Sequence, residues 1–232
     1  MQNKTILAIQ NDETDPPHLV GKWLEEIGFV IRVLEPYKGD VVPNKVPADV
    51  CALMPLGGHM GALDDHVAPW LAAERELLAD AVAKDFPIFA ICLGAQLLAA
   101  ATGGKVERMN TNEIGVYEIS SVVNDEIINF GDTALTTQWH EDYVTQLPPG
   151  ATCLAASELC PNQIYKMGSH TYAFQSHPEV DAQIVTRWEK DADNAFIESG
   201  SISVKEKVAA SEAQLINTWK PIVQNWGKSI IN

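Results

Sequence analysis

Basic residues are scarce in this chain: 16 lysines and arginines stand against 31 aspartates and glutamates, a formal net charge of −15 over 232 residues. A surface of that sign is repelled by phosphate backbones, so no nucleic-acid partner is expected. Long apolar runs are missing too. No stretch reaches the length needed to span a bilayer, and no membrane association is expected. The N-terminus passes from Met1-Gln2-Asn3-Lys4 straight into Thr5-Ile6-Leu7-Ala8-Ile9, too short for the apolar core of a secretion signal and without a cleavage-type site. A cytoplasmic location is therefore the expectation. Cysteine is sparse. Cys51, Cys92, Cys153 and Cys160 show no C-x-x-C spacing, which suggests neither a disulfide framework nor a zinc site. There is no G-x-G-x-x-G, hence no dinucleotide site, and no repeat or low-complexity segment.

What is present is an ordinary globular composition, 46% hydrophobic and 20% charged, in a chain long enough for a sizeable core. The stretch that organises it is Phe86 to Gly104. Ile88-Phe89-Ala90-Ile91 is a continuous apolar run, as in a strand covered on both faces. After Gly94 the composition turns to the helix formers Ala, Leu and Gln, and Gly103-Gly104 supplies a stop. Cys92 sits where strand gives way to helix, in the pattern small-x-Cys-x-Gly, the thiol version of a nucleophile elbow. A helix N-terminus presents unpaired N–H groups and a positive dipole end, which favour a thiolate and stabilise an oxyanion. The plainer alternative is a buried cysteine that only packs.

Around this stretch, strands and helices alternate. Strands are expected at Thr5–Gln10, Phe29–Leu34 and Ala48–Pro55. Helices are expected at Pro17–Gly28 and Pro69–Lys84, the second with Glu74, Arg75 and Glu76 on its wet side. That order argues a doubly wound, mostly parallel α/β sheet flanked by helices. The polar loop Asn11-Asp12-Glu13 falls at a strand's C-terminal end, where such sheets bind ligands. Gly57-Gly58 follows another strand; it makes a turn, or it lets a backbone N–H approach a substrate. From Lys105 to Val144 the pattern is less regular, with a strand at Val116–Val123. His140 and Asp142 share one face of an extended segment, a weak ligand pair with no third member at zinc spacing. Two or three antiparallel strands follow over Ala151–Gln175. His177 and Glu179 flank a proline and, in extended backbone, point the same way, so Glu179 can hold the imidazole in one tautomer; a surface turn is the plain reading. From Asp181 onward two apolar helical stripes, broken at Ser199–Ser203, read as packing surface or an oligomer contact.

Leu56-Gly57-Gly58, Ala90-Ile91-Cys92-Leu93-Gly94-Ala95-Gln96, Glu113-Ile114-Gly115 and Ser176-His177-Pro178-Glu179, in that order and spacing, resemble the class I (triad) glutamine amidotransferase domain, with the stand-alone GMP-synthase-like members most similar. The resemblance runs from about Lys4 to Trp188. It implies a flavodoxin-like domain over residues 1–190 and a helical extension over 191–232. It implies a triad of Cys92 as nucleophile, His177 as base and then acid, and Glu179 as orienter. The N–H groups of Gly58 and Leu93 would form an oxyanion hole. Gly57, His59, Gln96, Glu113, Gly115 and Val116 would lie around the substrate, glutamine or a γ-glutamyl compound. No cofactor and no metal are implied. The residues after the match are too few for an ATP-dependent synthase, so the resemblance implies delivery of ammonia to a synthase that is a separate chain. The alternatives are a self-sufficient γ-glutamyl hydrolase and a catalytically idle regulatory module. Three positions depart from the family pattern: Ala90 stands for Gly, His59 for Pro, and Ser176 for a large apolar residue. A wider acceptor side at Ser176 would favour the hydrolase.

Overall fold

The computed structural model describes residues 4–191 and 203–231. Strands β1 (Thr5–Ile9), β2 (Val30–Leu34), β3 (Ala52–Pro55) and β4 (Ile88–Ile91) alternate with helices α1 (His18–Glu25), α2 (Trp70–Ala83) and α3 (Leu93–Ala101). Then come β5 (Lys105–Ser121), β6 (Thr133–Gln146), β7 (Thr152–Ala156), β8 (Ile164–Met167) and β9 (Thr171–Phe174), followed by α4 (Ala182–Asp191) and α5 (Val204–Ser229). All nine strands form one sheet in the order β2-β1-β3-β4-β9-β8-β7-β5-β6. From β2 to β9 the pairings are parallel, in the doubly wound order of flavodoxin-like sheets. From β9 to β6 they are antiparallel.

The apolar runs of the central strands feed two cores at once, because successive side chains leave opposite faces. Ile6, Ala8, Met54, Phe89, Ile91, Tyr172 and Phe174 point into one cluster. Leu7, Ile9, Leu53, Ile88, Ala90 and Ala173 point into the other, with α2 and α3. On the first face α5 is the main cover. Its stripe of Val208, Leu215, Trp219, Val223 and Trp226 is buried. The indoles of Trp219 and Trp226 donate to the Leu135 and His170 carbonyls at 3.0 and 2.9 Å. Ser203 and Glu206 close a capping box at its start. That stripe is thus spent within the chain and is not offered to a second copy. The expected break at Ser199–Ser203 lies, apart from Ser203, outside the described residues.

Two readings of the sequence are corrected. The irregular stretch from Lys105 is a hairpin of two long strands, β5 and β6. Its register slips between Lys105 and Val106, and again between Arg108 and Glu113, where Met109 to Asn112 stand opposite Glu141 alone. Each slip swaps the faces of the side chains, which erases the alternation a strand is recognised by. Glu74 is not on the wet side of α2. It is fully buried, accepting from Asn11 Nδ2 at 3.4 Å, with its other oxygen unpartnered. Burial pushes its carboxyl up to about 8, the Asn11 bond offsetting only part of this.

A pH dependence follows. The folded chain keeps Glu74 protonated where the unfolded chain has lost the proton, so stability falls as pH rises from about 4.5 through about 8. Glu74→Gln keeps the acceptor and removes the titration. We expect thermal melts at pH 8 to show the variant more stable by on the order of 3 kcal/mol, and equal to wild type near pH 4. Parallel stability curves for the two proteins would contradict the assignment.

Candidate active site

Four segments at the carboxyl ends of parallel strands converge on one cavity of about 460 Å³. The loop after β1 brings Asp12 and Asp15, and the loop after β3 brings Gly58, His59 and Met60. Cys92 ends β4, and His177 follows β9. The hairpin closes the far wall with Arg108, Trp139 and Asp142, and α4 adds Trp188.

Cys92 occupies a turn that an L-residue enters only under constraint, with φ 49° and ψ −110°. Its N–H donates to the Phe174 carbonyl at 2.7 Å, so the sheet itself holds the strained residue. The helix behind it packs so closely on β3 that a Cβ at Gly94 would be driven into the Pro55 carbonyl. Backbone cannot yield there, which is the physical reason for glycine two residues after Cys92. Gly94 N–H is also committed, to the Leu56 carbonyl at 3.1 Å. Leu93 N–H, at the first helical position, has no carbonyl within its own helix to bond. Gly58 packs against Leu93: a Cβ at 58 would lie 3.0 Å from Leu93 Cδ2.

His177 Nδ1 lies 2.7 Å from Glu179 Oε1, and both side chains are buried. Among the described residues His177 Nε2 has no hydrogen-bond partner. Burial pulls the imidazole's proton affinity down, but Glu179 and the facing Cys92 more than offset it and raise the pKa well above the ordinary imidazole range. The ring edge rests on Trp188, centroids 4.7 Å apart, and Trp188 donates to the Thr14 carbonyl at 3.1 Å. Ser176, beside His177, is fully buried and does not border the cavity, so it is not what widens it.

The remaining candidates divide. His59 is exposed and 2.6 Å from Asp12. Burial pushes Asp12 up, but two bonds from Thr14 and the His59 contact outweigh it and hold the carboxyl below its usual range. Gln96 borders the cavity, with its amide donating to the Asp142 carbonyl at 3.0 Å and to Gln175 at 3.3 Å. Glu113, Gly115 and Val116 stand behind the cavity wall rather than on it. Glu113 is buried and accepts from Ser157 and Gln163 at 2.6 Å each, with His140 Nε2 at 3.0 Å. Gly115 and Val116 pair with Gln138 and Thr137 across the hairpin. His140 and Asp142 do not act as a ligand pair. One ring nitrogen faces Glu113, the other the Asp142 carbonyl, and the Asp142 carboxylate faces Arg108. The sequence does not single out Asp15 or Trp188 for this site. Trp188 reads there as part of an apolar stripe, and nothing in a lone sequence brings Asp15 to His177.

The family model of class I glutamine amidotransferases matches residues 63–195. The chain belongs to the class I glutamine amidotransferase family. Among its relatives in that family is the glutamine-hydrolyzing subunit of GMP synthase from Pyrococcus abyssi, 42% identical over 167 residues, which are 69% of this chain and 85% of that one. Gamma-glutamyl peptidase 3 from Arabidopsis thaliana is 31% identical over 106 residues, 42% of this chain and 43% of the relative. The crystal structure of a glutamine amido transferase from Methylobacillus flagellatus superposes with a TM-score of 0.85 at 28% identity, covering 100% of this chain and 96% of that one. This amidotransferase chain is an enzyme of the same α/β architecture. No helix among its described residues is long and apolar enough to cross a membrane.

Proposed function

We propose that this amidotransferase hydrolyses the side-chain amide of glutamine through Cys92, His177 and Glu179, and that the ammonia passes to an acceptor on a separate synthase chain. One observation carries the reading: the Glu179-bound imidazole of His177, with Nε2 unpartnered, faces a cysteine held in a strained strand-to-helix turn. The chemistry then follows. His177 Nε2 takes the thiol proton, and Sγ attacks the amide carbon. The N–H groups of Gly58 and Leu93 receive the oxyanion. As the C–N bond breaks, the imidazolium gives its proton to the leaving nitrogen and ammonia departs. Water, deprotonated by the same nitrogen, adds to the γ-glutamyl thioester; the thiol leaves with a proton and glutamate is released. Similarity to a relative named as one subunit of GMP synthase supports a separate partner.

Glu179→Gln is expected to cost roughly a hundredfold or more in kcat with little change in KM, because it acts only through the imidazole. A Glu179→Gln enzyme as active as wild type would leave His177 without its orienter. Self-sufficient γ-glutamyl hydrolysis is the second reading, favoured by the cavity of about 460 Å³, its tryptophan wall and the similarity to gamma-glutamyl peptidase 3. Steady-state kinetics on glutamine and a panel of γ-glutamyl peptides decide between the two. Preferred release of ammonia from glutamine supports the first. Strong peptide turnover with glutamine a poor substrate and no partner present replaces it with the second.

A further inference from the structure

Asp15 is a buried carboxyl that the proposed chemistry does not use, and its side chain borders the cavity. A Cβ placed on Gly57 would lie 2.6 Å from Asp15 Oδ1 and 3.4 Å from His177 Cε1. The missing side chain at position 57 is thus the opening through which Asp15 reaches the edge of the imidazole. One donor atom each from Asp15, His177 and Glu179 lie within 4.8 Å of one another.

We propose that Asp15 is a second carboxyl partner of His177, a positioning residue that keeps the ring as imidazolium to higher pH than Glu179 alone does and so sets the alkaline limit of turnover. The proposal rests on the reading of Cys92 and His177 as the reacting pair.

The surrounding charges single Asp15 out. Asp12, on its own loop, is answered by His59 at 2.6 Å. Across the cavity, Glu141 and Asp142 are answered by Arg108, and His140 is turned to Glu113. On the α1–α4 side, Asp181 is answered by His18 at 2.7 Å. Thr14 Oγ1 reaches Asp15 Oδ2 at 3.3 Å but carries no charge. Glu179 already holds Nδ1, and Cys92 faces the ring. Among the described residues Asp15 therefore has no cation but His177. Burial pushes its carboxyl up to about 7; His177 pulls against this, while Asp12 and Glu179 add to it. Asp15 gains its charge as pH rises through neutrality, in the range where an imidazolium begins to lose its proton. Coupling between two titrating groups is reciprocal: a positive ring favours an ionised Asp15, and an ionised Asp15 favours a positive ring.

The test is Asp15→Asn, read by NMR titration of the His177 ring, assigned by its absence in His177→Asn. The midpoint should fall by about one pH unit or more, the shift a charge at this range ordinarily produces. The alkaline limb of kcat should fall with it, and KM should stay within about twofold. Asp15→Glu should restore the titration. Gly57→Ala, which pushes Asp15 aside without changing its chemistry, should move the midpoint in the same direction and serves as well if Asp15→Asn folds poorly. An unmoved His177 midpoint in a folded Asp15→Asn or Gly57→Ala protein overturns the proposal. The titration needs no turnover, so a shifted midpoint in a chain that hydrolyses nothing supports the pairing and sinks the hydrolytic reading instead.

Discussion

Cys92→Ala is expected to fold as the native chain does and to lose turnover by about ten-thousandfold or more, the loss typical when a nucleophile is removed from an interdependent set. The fold should be indifferent because alanine suffers the same backbone constraint as cysteine at φ 49°. Cys92→Gly separates function from stability. Glycine adopts that conformation without strain, and relief of about 1–2 kcal/mol should raise the melting temperature by roughly 2–8 °C while activity stays absent. The thiols themselves offer a parallel check. Burial raises the pKa of Cys51 and Cys153, and pushes Cys160 up to about 12. Limited iodoacetamide treatment near neutral pH should label Cys92 first; early labelling of another cysteine with Cys92 untouched would contradict its role.

The second large effect is at His177. His177→Asn should abolish nearly all activity, since no other group is positioned to carry the proton between thiol and leaving nitrogen. It should also destabilise. A buried carboxylate that has lost its cation costs on the order of 3 kcal/mol, and Glu179 is almost wholly buried. The double variant His177→Asn/Glu179→Gln removes both charges and should recover much of that stability while staying inactive. The pH dependence has a definite sign. His177 has its pKa raised in the folded state, so its stabilising contribution is full below about 6.5 and is lost as pH rises through the higher folded value. That slope should be missing from the double variant. Denaturant melts across pH check both statements; a single variant as stable as wild type would mean that the pair is not held as described.

How much of this was legible in the sequence depended on whether the relevant signal was local. Ile88 to Ile91, followed by Cys92 and the Ala-Leu helix, announced strand, turn and helix because each residue's neighbours decide its environment there. The parallel order of the sheet was legible for the same reason, since strands and helices alternate with short connections. The β5–β6 hairpin was not, because two register slips scramble the period-two pattern over 17 residues of strand. Glu74 was misplaced because its spacing along α2 suits either face, and only Asn11, from a distant loop, shows which one is buried. His177 and Glu179 were legible as a pair, being two residues apart on extended chain. Their neighbours Asp15 and Trp188 were not: Asp15 reaches the ring only through the gap left by Gly57, and Trp188 meets it only after α4 folds back onto the loop after β1.

The most direct measurement is of the covalent intermediate. Glutamine is mixed with the enzyme, the reaction is quenched in acid within the first turnovers, and the digest is examined by mass spectrometry. A γ-glutamyl group on the peptide bearing Cys92, absent from Cys92→Ala and more abundant when Glu179→Gln slows hydrolysis more than acylation, is the predicted result. Sustained glutamine hydrolysis by Cys92→Ala, or an adduct on Cys51, Cys153 or Cys160 in place of Cys92, would contradict the account.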